Sequence, residues 1–400
     1  MFFLYLGLFF YFCMSSLWCS AMDNNLHVTF VTKEQDYTCY GTNKKLFGVA
    51  YPLNDTVLVL SDNHCSAFDP KTGALKKHFS FTGIIEDFDT KNEELVVVTK
   101  EDDFLYNIKT DSRRGIGEIN GQSKRIIFLP DNRLAAFFEW LDNGRFIEGI
   151  TFVNEEANLY RYTLMFDAYC DTTFFCAARP KTKEVFFLNT NKNSNKPQHI
   201  ICEGSSDGYA KRATVKNDKA SLLCAYNPDG TVLAVQTISD GYEFYNVKGY
   251  EYTSYLTINS LNKKPCDITS FCYSAIAFHP YKSFVALMNY YNNSIEFHSY
   301  AKKSDDTLLA RIAVDASESW FSLCTSNKYM AFSRDGKSLV AMKNKYDSKF
   351  YIIPTPLCAY FNKNIVSKCV FINFILNACV FIPWDIKKLI FNNIAYSADF

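Results

Sequence analysis

The chain has 400 residues, and its 42 basic and 42 acidic residues give a net charge of +0 at pH 7. No block of like charge occurs along it. A nucleic-acid groove needs a basic stripe, so the composition argues against DNA or RNA as the main partner. The length allows one large domain with a short segment at each end.

The first 22 residues contain no charged side chain. The apolar run at 2–12 is typical of a secretory signal peptide, and Cys19-Ser20-Ala21 offers small residues for cleavage. We therefore expect residues 1–22 to be a signal peptide and the protein to be secreted, periplasmic or at the cell surface. No Lys or Arg precedes the run. The alternative is an N-terminal strand or membrane anchor, and then a cytoplasmic protein.

Between residues 47 and 356 the sequence repeats one pattern seven times: an apolar strand, a tight turn, a second apolar strand, a polar turn and a third strand. The clearest copies span 222–247, 276–299 and 330–353. A repeat of strands alone, about 40–50 residues long, is typical of a β-propeller with one four-stranded blade per repeat. We predict an all-β fold, a seven-bladed β-propeller over residues 23–356. A β-sandwich or paired barrels are the alternatives.

The first four blades are expected at 47–79, 85–119, 125–162 and 173–201, and the fourth carries a polar insertion at 189–198. The segment 27–33 alternates apolar and polar residues as a strand does. An open seam would leave an unpaired edge strand, so we predict that this segment completes the last blade. Several cysteines fall inside expected strands, where a free cysteine acts as a small buried hydrophobe: Cys176, Cys224 and Cys324.

The turns between first and second strands carry the signature of a known family. The segments 226–230, 277–280 and 332–336 are similar to the "F-S-P-D-G" element of WD40 repeats, and Phe68-Asp69, Tyr106-Asn107, Tyr245-Asn246 and Phe297-His298 stand in place of its Trp-Asp dipeptide. Region 47–356 therefore resembles a degenerate WD40 array. The resemblance implies a propeller that binds other proteins. Because no repeat has a true Trp-Asp or an opening Gly-His pair, we expect the family's buried Asp–His network to be absent.

The tail, residues 357–400, changes character and is expected to be helical. The apolar stretch 365–381 contains Lys368, Asn373 and Asn377, which favours a packed helix over a membrane span. The segment 382–394 has Pro383 and Asp385 in its first turn and an apolar stripe after them. It resembles the opening helix of an F-box. A helix that caps the side of the propeller is the alternative.

Catalytic and metal-binding motifs are missing from the sequence. There is no P-loop, H-E-x-x-H, G-x-S-x-G or EF-hand loop, and none of the 14 cysteines forms a CxxC pair. The six histidines are scattered, and His279 and His298 fall at non-equivalent positions, so we expect both to be structural. We predict no catalytic residue, no cofactor and no metal site. Disulfides would be compatible with export, and the sequence does not pair them.

Binding is expected at the turns that join second and third strands, which share one face of the propeller. Aromatic side chains of the types enriched in binding hot spots fall there, with one acid beside them: Trp140, Tyr290, Tyr291, Tyr346 and Asp102. The alternative is that each ring packs on its own blade. We predict a non-catalytic scaffold that binds another protein or peptide, with no transmembrane domain once the leader is removed. An exported hydrolase or lyase, or an intracellular F-box-like receptor, are the alternatives.

Overall fold

The computed structural model describes sixteen stretches of the chain: residues 29–31, 46–101, 103–116, 122–129, 133–142, 145–153, 175–188, 198–205, 208–216, 221–237, 241–258, 273–289, 294–301, 307–313, 327–342 and 350–355. Their strands form seven sheets that follow one another along the chain, and every strand pair in them is antiparallel except the added pair of β1 and β24. This arrangement confirms the predicted seven-bladed β-propeller. The helical appendage expected at 357–400, with the F-box-like segment 382–394, lies outside the described residues, as does the leader at 1–22.

The first described strand is β1 (Thr29–Val31), and the first four sheets follow it. Blade 1 contains β2 (Leu46–Leu53), β3 (Thr56–Ser61), β4 (His64–Phe68) and β5 (Leu75–Ser80). Blade 2 contains β6 (Ile85–Lys91), β7 (Glu94–Thr99), β8 (Asp103–Asn107) and β9 (Ser112–Gly115). Blade 3 contains β10 (Gln122–Phe128), β11 (Leu134–Asp142) and β12 (Arg145–Val153). Blade 4 contains β13 (Phe175–Ala178), β14 (Glu184–Leu188), β15 (Gln198–Ser205) and β16 (Gly208–Lys216).

The last three sheets carry the clearest repeats. Blade 5 contains β17 (Ser221–Tyr226), β18 (Val232–Thr237), β19 (Gly241–Lys248) and β20 (Glu251–Ile258). Blade 6 contains β21 (Tyr273–Phe278), β22 (Phe284–Asn289), β23 (Ser294–Ser299) and β24 (Leu308–Ala313). Blade 7 contains a 3₁₀ turn, η1 (Asn327–Tyr329), then β25 (Met330–Phe332), β26 (Ser338–Met342) and β27 (Phe350–Pro354).

The hydrophobic cores lie between the blades. In β3 every residue is buried, because this second strand has a neighbouring blade against each face of its sheet. Val57 and Val59 pack into a core shared with blades 6 and 7, whereas Leu58 and Leu60 pack into a core shared with blade 2. Second strands therefore read as continuous apolar runs and not as an alternation of apolar and polar residues.

Tight turns between first and second strands form one face of the ring, which we call the first-turn face: residues 54–55, 92–93, 179–183, 227–231, 279–283 and 333–337. The third-to-fourth-strand turns open on the same side. In blade 5, Gly230 has a φ of 74°, and Asn227 Oδ1 accepts a hydrogen bond from Val232 N at 2.8 Å. The predicted Pro-Asp-Gly turn chemistry therefore builds this face.

Hydrogen bonds between a side chain and the backbone of the next blade cross six of the seven seams within the described residues. They run from Lys77 Nζ to Ile108 O (3.4 Å), Lys91 Nζ to Leu129 O (2.7 Å), Arg179 Nε to Gly230 O (2.8 Å), Tyr255 OH to Tyr300 O (2.9 Å), His279 Nε2 to Gly336 O (3.1 Å) and Asp335 N to Asn54 Oδ1 (2.9 Å). These bonds fix the relative position of the two blades that each one joins, which apolar packing alone does not do.

Two sequence-based predictions were wrong, one about where a blade ends and one about which blade a strand joins. Blade 4 was predicted to end at residue 201, but β15 continues to Ser205 and β16 adds a fourth strand to Lys216. The sequence of β16 is rich in Lys, Arg and Thr, so its strand pattern is weak. The segment 27–33 was predicted to complete the last blade. Instead β1 pairs in parallel with β24, at the outer edge of blade 6. An alternating strand can add to any open edge, and its sequence does not choose the edge.

A buried polar network in blade 6 occupies the face of β23 turned toward blade 5. Glu296 accepts hydrogen bonds from Asn289 Nδ2 (3.1 Å) and Arg311 Nε (3.0 Å), and its Oε2 lies 3.2 Å from His298 Nε2. His298 Nδ1 also contacts Thr307 Oγ1 at 3.0 Å. Burial alone would raise the pKa of Glu296, but His298 and Arg311 outweigh it and lower this pKa to about 2. His298 is therefore structural, as predicted, within a network built from different residues than the WD40 pair.

His279 joins the turns of blades 6 and 7. Its Nδ1 accepts hydrogen bonds from Tyr281 N (3.1 Å) and Lys282 N (2.9 Å), so Nε2 carries the proton and donates to Gly336 O. Gly336 has a φ of 70°, and a Cβ added to it would collide with the His279 ring. Burial lowers the pKa of His279 to about 4, with Lys282 acting in the same direction, and the bond to Gly336 and the charge of Asp335 oppose them. The imidazole is thus a neutral structural link between the blades, as predicted.

Acid should weaken this link. The pKa of His279 is lower in the folded protein than in the unfolded chain, so its contribution to stability is complete above about pH 6.5 and is lost as pH falls toward 4. Over that range we expect wild type to lose on the order of 2–3 kcal/mol of unfolding free energy relative to His279→Asn. Urea unfolding of both proteins at pH 7 and pH 4.5 measures the difference, since all other titratable groups are shared. His78→Asn, at an exposed position on β5, is the matched control. Parallel pH profiles for wild type and His279→Asn would contradict the assignment.

Candidate functional site: the axial channel and the two faces

The inner strands of the blades enclose an axial cavity of about 330 Å³. Five first strands (β2, β6, β10, β13 and β17) line it, with η1 and β25 of blade 7. The polar and ionisable side chains among its lining residues are Asp87, Asp89, Thr90, Arg125, Cys176, Cys224, Tyr226, Asn327 and Lys328. This is where the sequence offered the least signal, because no repeated motif marks the axis.

Two aspartates of β6 hold the first strand of blade 3. Asp87 and Asp89 are two residues apart and therefore project from the same face of the strand. Asp87 Oδ2 accepts a hydrogen bond from Ile126 N at 2.7 Å, and Asp89 Oδ2 accepts one from Phe128 N at 2.7 Å. Both N–H groups belong to β10 and point away from its partner strand β11. The carboxylates thus replace a missing strand between blades 2 and 3.

Lys328 crosses the inside of blade 1 to reach Asp87. It stands on η1 of blade 7, and its ammonium forms an ion pair with Asp87 Oδ1. The same ammonium lies 4.9 Å from the centre of the Phe88 ring. Gly48 permits this crossing, because a Cβ there would collide with the Phe88 ring and lie 3.2 Å from Lys328 Cβ. One ion pair therefore connects blades 7 and 2 across blade 1.

Asp89 is an axial carboxyl whose pKa is raised toward neutral pH. Although part of its side chain faces the cavity, it lies deep in the channel, and this burial raises its pKa to about 6. The charge of Lys328 and the hydrogen bonds from Phe128 N and Thr90 N act in the opposite direction, and the charge of Asp87 adds to the increase. Asp89 therefore changes its charge near pH 6.

The two axial cysteines are poor nucleophiles. Cys224 is buried and Cys176 is half-buried against the cavity, and both are free thiols. Burial raises the pKa of each thiol, so both stay protonated at neutral pH. Small buried hydrophobes were predicted at both positions, which fits Cys224, whereas Cys176 is only half-buried. Cys324 lies outside the described residues.

Asn327 lines this cavity and is anchored by its amide. Its Nδ2 donates to Cys224 O at 2.8 Å, whereas its buried Oδ1 has no hydrogen-bond partner in the part of the chain that the structure describes. Within the described part of the chain, no group of three or more His, Cys, Asp or Glu side chains could hold a metal ion. The axial carboxylates Asp87 and Asp89 accept hydrogen bonds from backbone N–H groups, and Asp87 is also the counterion of Lys328.

The structure changes the interpretation of the predicted binding residues. Trp140 was predicted in a turn but lies inside β11, where it pairs with Ile147, because the β11–β12 hairpin continues to Asp142 and Arg145. The other four residues predicted for this face lie outside the described residues: Asp102, Tyr290, Tyr291 and Tyr346. Their placement stays a prediction.

The first-turn face carries two exposed aromatic side chains that the sequence analysis missed. Tyr281 is 68% exposed and Tyr250 is 44% exposed, in the turns at 279–283 and 249–250. Each follows a turn-forming residue, Pro280 or Gly249, and a large ring directly after such a residue was the signal that could have identified them. The described residues thus place exposed aromatic groups on the face opposite to the one predicted.

Among the described residues, no helix is long and apolar enough to cross a membrane. No protein-family profile matches the sequence, and no curated protein matches it.

Solved structures share the fold at low sequence identity. The β-propeller domain of Cps50 (Swd1) from Myceliophteria thermophila superposes with a TM-score of 0.59 at 10% identity, covering 81% of this chain and 100% of that domain. A chain of the mitotic checkpoint complex gives 0.57 at 13% identity, over 83% of this chain and 97% of that one. Hydrazine synthase from Kuenenia stuttgartiensis gives 0.58 at 13% identity, over 80% of this chain and 99% of that one. These similarities establish the propeller fold.

Gly48 offers a direct test of the axial arrangement. We expect Gly48→Ala to lower the unfolding free energy by about 1–3 kcal/mol, because the added methyl overlaps the buried Phe88 ring and displaces the Asp87–Lys328 pair. The matched control is Gly115→Ala on β9, where a Cβ meets nothing within 4 Å. Urea unfolding of both variants gives the comparison. Equal stability of the two variants would contradict the close approach of Lys328 and Phe88 over Gly48.

Proposed function

We propose that this chain is a non-catalytic scaffold for protein–protein interaction, built on a WD40-like β-propeller. The observation that carries the proposal is a difference between the axis and the surface of the propeller. At the axis, Asp87 and Asp89 accept hydrogen bonds from the backbone of the next blade, and Lys328 pairs with Asp87. Exposed aromatic side chains stand instead on turns with a fixed backbone: Arg179 of blade 4 holds the turn of Tyr250, and His279 holds the turn of Tyr281 within blade 6. A rigid frame with exposed anchors is suited to binding other proteins.

The similar structures support the proposal at the level of the fold. One is the β-propeller domain of Cps50 (Swd1), and another is a chain of the mitotic checkpoint complex, which is a protein assembly. Fold does not fix function, and hydrazine synthase shares the fold as well. The leader predicted at residues 1–22 would place this scaffold outside the cytoplasm. An F-box-like role for 382–394 would require an intracellular protein, and neither the described residues nor the comparisons support it.

The competing function is an enzyme that uses axial acids. Asp89 is its best candidate, because burial raises the pKa of this carboxyl to about 6, which suits a general acid or base. Both Asp89 oxygens, however, accept backbone hydrogen bonds, from Thr90 N at 2.8 Å and Phe128 N at 2.7 Å. The neighbouring thiols are protonated. A structural role explains Asp89 without a substrate.

Affinity capture from the native host tests the scaffold function. Tagged full-length protein, purified and measured by quantitative mass spectrometry, should retain one or more proteins in fixed stoichiometry. Asp89→Asn, which removes the titratable carboxyl of Asp89, should retain the same proteins in the same ratio, provided that its circular dichroism matches wild type. Absence of any stoichiometric partner, or loss of the partner in a folded Asp89→Asn variant, would contradict the proposal.

A further inference from the structure

We infer that the first-turn face of blades 4 to 7 is the docking surface of this chain, and that its partner is an acidic segment of another protein. The inference rests on the proposed scaffold function and adds the surface and the chemistry of the partner. Its centre is the pair of exposed rings, Tyr250 on blade 5 and Tyr281 on blade 6. Tyrosine is among the side chains that dominate the energy of binding sites.

Both tyrosines stand on turns whose backbone is fixed by a buried side chain. Arg179 of blade 4 donates from one guanidinium nitrogen to Gly249 O at 2.9 Å, and from Nε to Gly230 O. Its other partner is the Glu184 carboxylate at 2.6 Å, and the two side chains are 12% and 8% exposed. On blade 6, His279 holds Tyr281 N and Lys282 N. Side chains presented on a rigid backbone lose little conformational entropy on binding.

These turns form a continuous surface. The turn of blade 4 packs against that of blade 5, because a Cβ on Gly230 would lie 2.9 Å from Pro180 O. The connection from blade 5 to blade 6 runs through Tyr300, whose carbonyl accepts from Tyr255 OH and whose N–H donates to Ser283 O at 3.1 Å. His279 then links blade 6 to Gly336 of blade 7.

Lys181 shows strain that stability alone does not explain. It has a φ of 62°, in a turn where Pro180 precedes it and where glycine is the favoured residue. The other non-glycine residues with positive φ are Asn92 and Asp111 among those described, and these residue types tolerate that conformation. A lysine there costs about 1 kcal/mol relative to glycine. Such local strain is characteristic of functional positions.

The charge of this surface selects an acidic partner. Its exposed basic side chains in the described turns are Lys181, Lys183, Lys248, Lys282, Arg334 and Lys337. The accessible acids in these described turns are fewer: Asp229, Glu251 and Asp335. Asp229 Oδ1 accepts from Thr231 N (3.0 Å) and Oγ1 (2.6 Å), and Asp335 Oδ1 accepts from Ser333 Oγ (2.7 Å), which orients these carboxylates without cancelling their charge. Basic groups around two aromatic anchors complement a chain that alternates acidic and apolar residues.

A protein segment fits this surface better than a membrane or a nucleic acid. Asp229, Glu251 and Asp335 are interspersed with the lysines, and they would repel the uniform negative charge of phospholipid headgroups or a phosphate backbone. A polypeptide can place its own carboxylates against the lysines and avoid these acids.

Selection from a phage-displayed library of random 12-residue peptides tests the assignment with the full-length protein as bait. We expect the selected peptides to be enriched in Asp and Glu together with apolar residues. By fluorescence anisotropy, Tyr281→Ser and Tyr250→Ser should each weaken their binding about tenfold or more. The matched control is Ile84→Ser, since Ile84 is 53% exposed but lies beside the opposite face, next to the turn at Asp62.

Lys181→Gly separates a binding role from a structural one. It should raise the urea midpoint, because glycine accepts the positive φ, and at the same time weaken peptide binding. Binding unchanged in Lys181→Gly and in both tyrosine variants would overturn the assignment. So would binding to phosphatidylserine vesicles that depends on the same residues. If partners captured from the host persist in the tyrosine variants, the scaffold function stands and this surface is wrong.

Discussion

Within the described residues, six of the seven seams of this propeller are crossed by side chains that hydrogen-bond to the backbone of the neighbouring blade. The apolar cores between blades are large but non-directional, so they favour contact without fixing position. Arg179, His279 and the Asp87–Asp89 pair supply the direction. Their loss would leave buried donors or acceptors unpaired, and the cost of an unpaired group exceeds the net gain of an ordinary hydrogen bond. The ring depends on these bonds for a single, fixed geometry.

This constraint explains why the axis and the surface differ in character. Near the axis, strands converge and backbone N–H groups of β10 face inward, so carboxylates are needed there as acceptors, and Lys328 balances one of them. On the first-turn face, the same kind of bond has a second consequence. Arg179 fixes the turn of blade 5 that carries Tyr250, whereas His279 fixes the turn of its own blade that carries Tyr281 and is itself bonded to blade 7. The stability of the ring and the presentation of a binding surface therefore share the same residues.

The blade pattern was predictable from sequence because it is local. Pro-Asp-Gly turns and apolar second strands depend on residues a few positions apart, and 226–230 and 332–336 showed both. The weakly patterned strand β16 and the edge chosen by β1 depend on which partner is free in the folded ring, and no local pattern records that. The same holds at the site. The ion pair of Asp87 and Lys328 spans 241 positions, and Trp140 was assigned to a turn because strand β11 runs longer than its pattern indicated.

The most direct test of the central claim is hydrogen–deuterium exchange of the native protein after Arg179→Met, which keeps the aliphatic stem and removes both bonds to blade 5. The control is Lys109→Met, which removes an exposed ion pair to Glu93 within blade 2. If seam bonds fix the ring, Arg179→Met should speed exchange in the turns at 227–231 and 249–250 and lower the stability of blades 4 and 5 together, whereas Lys109→Met should leave both unchanged. Unchanged exchange in those turns after Arg179→Met would show that apolar packing alone holds the blades, and would contradict this account.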